Sequence, residues 1–132
     1  MPLNPALQGK TYDEVTFSVD EERVRAFSAA VGHPAAGVPP TFATVVEHAA
    51  GIPSIVGDAE LGLDLRRVLH GQQEYEWHRP MRVGETLRVA TTIESVRSKG
   101  GMELLTLRSD LSGEDGALVV VARSTLIVRG ET

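Results

Sequence analysis

The first half of this chain carries its apolar residues at helical spacing, and the second half carries them in alternation. Thr11 to Val19 opens with a weak alternation of Tyr12, Val15, Phe17 and Val19, which predicts a short strand. The rhythm then changes. Val24, Phe27 and Val31 follow i, i+3, i+7 and give one apolar helical face. Asp20 stands where an N-cap accepts a backbone N–H, Glu21 and Glu22 suit the positive helix end, and Val19 and Val24 have hydrophobic-staple spacing. Gly32 is a natural stop. A second helix is predicted after Pro39 and Pro40, since proline is tolerated in a first turn. Phe42, Ala43, Val45, Val46, Ala49 and Ala50 leave that helix almost no polar face, so it belongs in the core. Gly51 and Pro53 are expected to end it, with "IPSIVGDAELGLDLRR" as an irregular connection.

From Val68 onward the pattern predicts strands only. "LHGQQEYEWHRP" is extended and closes at Pro80, and "ETLRVATTIESVRSK" alternates Leu87, Val89, Thr91 and Ile93 against polar residues. Gly100 and Gly101 signal a hairpin into "GGMELLTLRSDL", and Gly113 to Gly116 make the next turn. "ALVVVARSTLIVRG" follows, and its continuous valine run predicts a central strand covered on both faces. The order is strand, short helix, buried helix, then four antiparallel strands, which predicts an α+β fold. A long apolar helix has to be wrapped, and a curved antiparallel sheet is the available wrapper. That is a single hot-dog domain over residues 11–130, preceded by an irregular lead-in over residues 1–10. A lone sheet of this kind leaves exposed edges, so pairing into a double hot dog is expected.

Composition narrows the function classes. The 132 residues carry a formal net charge of -5 with no long run of either sign. Nucleic acid and membrane surfaces, which select clustered Lys and Arg, are therefore not expected partners. Without cysteine there is no disulfide framework or thiol nucleophile, which fits a reducing compartment. "MPLNPALQGK" lacks the basic-then-apolar order of a signal peptide, and no window approaches the roughly 18 apolar residues of a membrane span. A soluble cytoplasmic protein is expected. The four histidines show no i, i+4 pair or His-x-His spacing, so no metal site is expected. No glycine-rich phosphate loop or serine elbow points to a cofactor or a serine nucleophile.

Four segments together resemble the MaoC-like dehydratase family: "PPTF" opening the buried helix, "LHGQQEYEWHRPMRVGETL", "GGMELLTL" and "DGALVVVARSTLIVRG". The resemblance runs from about Thr11 to Gly130 and is strongest to the degenerate N-terminal branch and to accessory subunits of (3R)-hydroxyacyl thioester dehydratases. It implies a substrate held as a thioester on coenzyme A or acyl carrier protein, with water added or removed across the 2,3 bond. In active relatives a loop reading roughly Gly-Asp-x-Asn-Pro-x-His supplies the acid and base, and backbone N–H groups at the helix start polarise the carbonyl. Here the corresponding stretch is "GHPAAGVPP". Gly32 matches the glycine, His33 stands where the aspartate should be, and the Asp-His pair has no counterpart.

Candidate residues follow from this. His33 is either a lone general base or a loop histidine beside Pro34. His70 either lines an acyl channel or fixes a strand bend at Gly71. Thr41 and Phe42 are candidate N–H donors at the helix start, and Arg79, like Arg66 and Arg67, is a candidate partner for a phosphate or an acidic carrier. Glu47 and His48 are adjacent and point to different helix faces. Three functions stay open. The chain is the non-catalytic member of a heterodimer with a catalytic MaoC-like chain; or an autonomous hydratase or thioesterase using His33, His70 or a carboxylate such as Asp64 or Glu47; or a homodimer that binds acyl thioesters without turnover.

Overall fold

The switch from strand to helix falls where the capping chemistry lies. In the computed structural model, which describes residues 3–33 and 37–130, strand β1 (Val15–Ser18) leads into helix α1 (Glu21–Val31). The Asp20 carboxylate accepts the Arg23 N–H at 2.8 Å, satisfying one of the helix's orphan donors. Val19 and Val24 are both buried in the same apolar cluster. Gly32 closes α1 in the left-handed region at φ 70°, where a side chain would be strained.

The buried helix is longer than its sequence predicts. Helix α2 (Phe42–Val46) passes through a π-helical turn (Glu47–Gly51) into helix α3 (Ile52–Val56), so Gly51 and Pro53 do not end it. A proline in a helix interior clashes with the carbonyl four residues back. Here Pro53 follows a turn wound at i→i+5, which takes up that clash. Gly51 has its own reason. A Cβ there would lie 2.9 Å from Thr91 Oγ1 and 3.2 Å from Ser109 Oγ, so the helix backbone rests directly on the sheet.

A short 3-10 turn (Leu65–Arg67) then feeds four long strands: β2 (Val68–Trp77), β3 (Thr86–Lys99), β4 (Met102–Ser112) and β5 (Leu118–Val128). The sheet order is β1-β3-β4-β5-β2, with every neighbouring pair antiparallel. Val119, Val120, Val121 and Ala122 are consecutive and all buried, as the valine run predicts. The sheet curves around the helical run, which is the hot-dog fold.

The core has two lobes, one at each end of the helical run. Phe42, Ala43 and Val46 pack with Phe17, Leu87 and Val120, while Ile55 packs with Leu61, Leu105 and Leu107. The lead-in joins the second lobe. Leu3 is buried there, and the Gly9 N–H donates to Ile93 O at 2.7 Å. Strands β1 and β2 form the two edges of the sheet. A bulge between His70 and Gln72 kinks β2 at Gly71, where a Cβ would press to 2.9 Å against Ile127.

Gly51→Ala should lower stability by about 1–3 kcal/mol, read as a shift in the urea midpoint. Because the clash is with Thr91 Oγ1, adding Thr91→Ala should cost less in the Gly51→Ala background than in the native one. Full additivity of the two changes would contradict this seating of the helix.

Candidate functional site

At the start of the central helix the chain builds an open, mostly apolar pocket of about 660 Å³. Phe27 and Val31 of α1 form one wall, and Pro40, Thr41 and Thr44 the other, with His33 at the rim. The His33 N–H donates to Ser28 O at 2.9 Å, which fixes its backbone to the end of α1. Its Nδ1 is buried without a hydrogen-bond partner. Residues 34–36 lie outside the described residues, so the proposed contact of His33 with Pro34 falls there too. Between Val31 and Val46 the sequence holds no carboxylate and no second histidine.

The helix start is wound tighter than a free oxyanion site requires. Phe42 N–H donates to Pro39 O at 2.9 Å, Ala43 N–H to Pro40 O at 3.2 Å and Thr44 N–H to Thr41 O at 3.0 Å. Phe42 therefore differs from its expected role: its N–H is already occupied, and its ring is fully buried edge-on to Phe17 and Phe27. Thr41 remains at the pocket wall.

The other candidates lie apart from this pocket. Arg79 makes a two-point ion pair with Glu85, Nη2 to Oε1 at 2.7 Å and Nη1 to Oε2 at 3.0 Å, and also bonds Pro80 O. Burial acts to raise the Glu85 carboxyl, but Arg79 and the Arg82 N–H outweigh it and hold it low. The Arg79 charge thus staples the β2–β3 turn rather than standing open to an anion. The residue also borders a smaller pocket of about 280 Å³ with Val38, Trp77 and Met81. His70 is exposed on β2, with Nε2 3.0 Å from Gln73 Oε1. Asp64 is held at about 2 by its bonds from Arg66, so it is a poor base. His48 is exposed and hydrogen-bonds Thr44 O through Nδ1 at 2.8 Å. Among the described residues no group of three His, Asp or Glu comes together as a metal site.

The carboxylate that matters most is Glu47, which is only 3% exposed. It lies in the π-helical turn and faces the sheet. Gln73 Nε2 donates to its Oε1 at 3.0 Å, Tyr75 O–H approaches the same oxygen at 3.5 Å, and Ser124 Oγ lies 3.0 Å from Oε2. Ser124 Oγ is also 2.6 Å from Gln73 Oε1. Ser124 has one proton for two acceptors, so an ionised Glu47 would leave one close oxygen pair with no hydrogen between them. Turning the Gln73 amide over moves the problem: its oxygen would then face Glu47 Oε1. Either orientation is relieved by one proton on Glu47. Burial pushes this carboxyl up in the same direction, against the Ser124 hydrogen bond and the nearby His48 and His70. Tyr75 in turn bonds Thr44 Oγ1, which lines the His33 pocket. From its sequence position alone Glu47 is no more than a possible base. Its partners lie on β2 and β5, and no local motif announces them.

Comparison with known proteins decides the family. Residues 6–122 match the model for the FAS1-like, dehydratase domain region. The chain belongs to that family. A UPF0336 protein from Streptomyces griseus is 39% identical, covering 98% of this chain and 97% of the relative. Another from Saccharopolyspora erythraea is 34% identical, covering 98% and 94%. Both alignments run over 147 residues against the 132 of this chain. These relatives of the FAS1-like dehydratase family therefore carry residues that this chain lacks. Among solved structures, the C-terminally truncated HadBC (3R-hydroxyacyl-ACP dehydratase) complex of Mycobacterium tuberculosis superposes with a TM-score of 0.77 at 24% identity, covering 92% of this chain and 96% of that one. The fold is thus that of the MaoC-like dehydratases.

Because Glu47→Gln keeps a donor for Ser124 and an acceptor for Gln73, it should hold native stability to within about 1 kcal/mol at acid pH. A carboxyl raised by folding contributes most below its ordinary range and loses that contribution as pH rises through the raised value. Urea midpoints over a pH series should therefore show Glu47→Gln gaining on the native protein with increasing pH, while Glu47→Ala is worse throughout. Equal damage from Gln and Ala would refute the shared proton.

Proposed function

We propose that this chain is the non-catalytic, channel-shaping member of a two-chain (3R)-hydroxyacyl thioester dehydratase, or enoyl hydratase, acting on fatty-acyl groups held on coenzyme A or acyl carrier protein. The observation that carries this reading is the His33 pocket. Moving a proton on and off carbons 2 and 3 while holding water calls for two positioned titratable groups. The pocket offers one histidine, two threonine hydroxyls and apolar walls. The nearest buried carboxylate, Glu47, is engaged by Gln73, Ser124 and Tyr75. Such a pocket suits an acyl chain better than a reacting carbon.

The partner chain would supply the acid and base. Strand β2 is the natural joint: it is ten residues long, pairs only with β5 among the described strands, and carries Leu69 at 50% exposure. An edge of this length presents a row of unpaired backbone groups, and a second hot-dog chain pairing antiparallel along it would cover them. Membership of a dehydratase family and the fold of the HadBC complex are consistent with such a pairing.

One observation favours a second reading. The unpartnered Nδ1 of His33 at the pocket rim is the feature expected of an autonomous hydratase or thioesterase base. One assay separates the two. The purified chain should neither hydrate crotonyl-CoA nor cleave it, and activity should appear on adding a hot-dog chain bearing Gly-Asp-x-Asn-Pro-x-His. In that complex His33→Ala should keep kcat within about threefold, since no chemical step passes through it. Turnover by the chain alone, lost in His33→Ala, would overturn the accessory role. A tight homodimer that binds acyl-CoA and ignores any partner would do the same.

A further inference from the structure

The two edges of the sheet are finished differently. Strand β2 has no outer neighbour among the described strands, whereas β3 is covered along most of its outer side. Strand β1 takes only Thr86 to Val89 of it. Beyond Val89 the lead-in takes over. Tyr12 N–H donates to Thr91 O at 2.8 Å, Ile93 N–H to Lys10 O at 2.9 Å and Gly9 N–H to Ile93 O at 2.7 Å. Thr11 bridges Thr92, with the two hydroxyl oxygens 2.8 Å apart. At Val96 a side chain replaces backbone: Gln8 Oε1 accepts the Val96 N–H at 3.0 Å.

Three anchors hold this segment down. Leu3 is buried in the second lobe, and its N–H donates to the Glu103 carboxylate at 3.0 Å. Asn4 N–H donates to Leu61 O at 3.2 Å. The third anchor is Asp58, just past α3. Its Oδ2 accepts from both Lys10 Nζ and Tyr12 O–H, each at 2.7 Å. Those two donors hold the Asp58 carboxyl at about 2, so the anchor stays charged at neutral pH. Apart from Tyr12, which packs on the second lobe, residues 8–12 bring little apolar surface to the core. Gln8, Gly9 and Thr11 are exposed. What the segment supplies is hydrogen bonds to an edge.

An open edge is a template for another strand. Without the lead-in, β3 would be bare from Ala90 to Lys99, a stretch as long as β2 itself. That stretch carries Arg97 and Lys99, both exposed, while β2 carries Glu74 and Glu76, both exposed. The β2 strand of a second copy therefore matches the bared edge in length and in charge. Such a pairing is head-to-tail, so every added copy offers a further free edge and growth does not have to close.

We infer that the lead-in is an edge guard: residues 8–12 occupy the β3 edge and shut out the β2 strand of a second copy. Strand β2 is then the one edge among the described strands at which a partner docks. The guard does not depend on what that partner catalyses.

Two variants of the full chain open the guard from different ends. Gly9→Pro removes the N–H that bonds Ile93 O and cannot keep φ at 94°. Asp58→Ala removes the anchor shared by Lys10 and Tyr12. In hydrogen exchange the Ile93 and Val96 amides should exchange about tenfold faster or more in both variants, with the β4 and β5 amides still protected. Sedimentation velocity at rising concentration should then show both variants forming larger species than the native protein does. Reversing the β2 charges with Glu74→Lys and Glu76→Lys in the Gly9→Pro background should suppress that growth. An opened edge without growth would overturn the inference, as would growth indifferent to the charge reversal. Ile93 and Val96 amides that exchange no faster would also overturn it. So would loss of β4 and β5 protection along with theirs, which would make the lead-in part of the cooperative core instead of a guard.

Discussion

The central helix can approach the sheet only as closely as Gly51 permits. With no side chain there, the helix backbone settles onto Thr91 and Ser109, whose hydroxyls bond each other at 3.0 Å beneath it. That contact fixes the depth of the helical run, and two consequences follow. The π-helical turn that ends at Gly51 directs Glu47 and Ala50 inward while His48 stays exposed. The same seating lets both ends of the run reach apolar lobes, Phe42 at one and Ile55 at the other. A turn hydrogen-bonded at i→i+5 is far rarer than an α-turn. It persists here because the sheet contact and Pro53 both require it.

Much of this fold is legible in the sequence because its signals are local. Asp20 acts through its carboxylate on the turn that follows it, Gly32 and the Gly100-Gly101 pair act through their own backbone, and all three signals sit where capping and turn chemistry predict. The valine run of β5 is legible for a different reason: continuous apolarity needs cover on both faces, and the structure supplies it. The long helix was only half legible. Gly51 and Pro53 are stop signals by propensity, and tertiary contact overrides both. Nothing within four residues of Gly51 shows that Thr91 and Ser109 will lie under it.

The site was less legible for the same reason, at longer range. Glu47 finds Gln73, Tyr75 and Ser124 at separations of 26, 28 and 77 residues. They converge because β2 and β5 pair with Gln73 opposite Ser124. The inward phase of Gln73 and Tyr75 along β2 is the only sequence trace of this, and it is easily mistaken for ordinary alternation. Arg79 shows the reverse case. Its partner Glu85 is six residues away within "RPMRVGE", close enough to have suggested a staple instead of an anion site.

The buried network and the edge strand are joined through β2. Glu47 holds Gln73 and Tyr75, and both stand on β2, the edge that has no outer neighbour among the described strands. A strand pinned from behind loses less freedom when another strand docks in front, so the cost of association falls. A carboxyl used in this way holds its place, and burial pushes it toward the protonated form, whereas a working acid or base has to give up and regain its proton. The pocket beside it keeps apolar walls and a single histidine. Under the proposed function, a carboxylate turned to scaffolding leaves the pocket to shape a substrate's path, and the reacting groups come from across the edge that the same carboxylate stiffens.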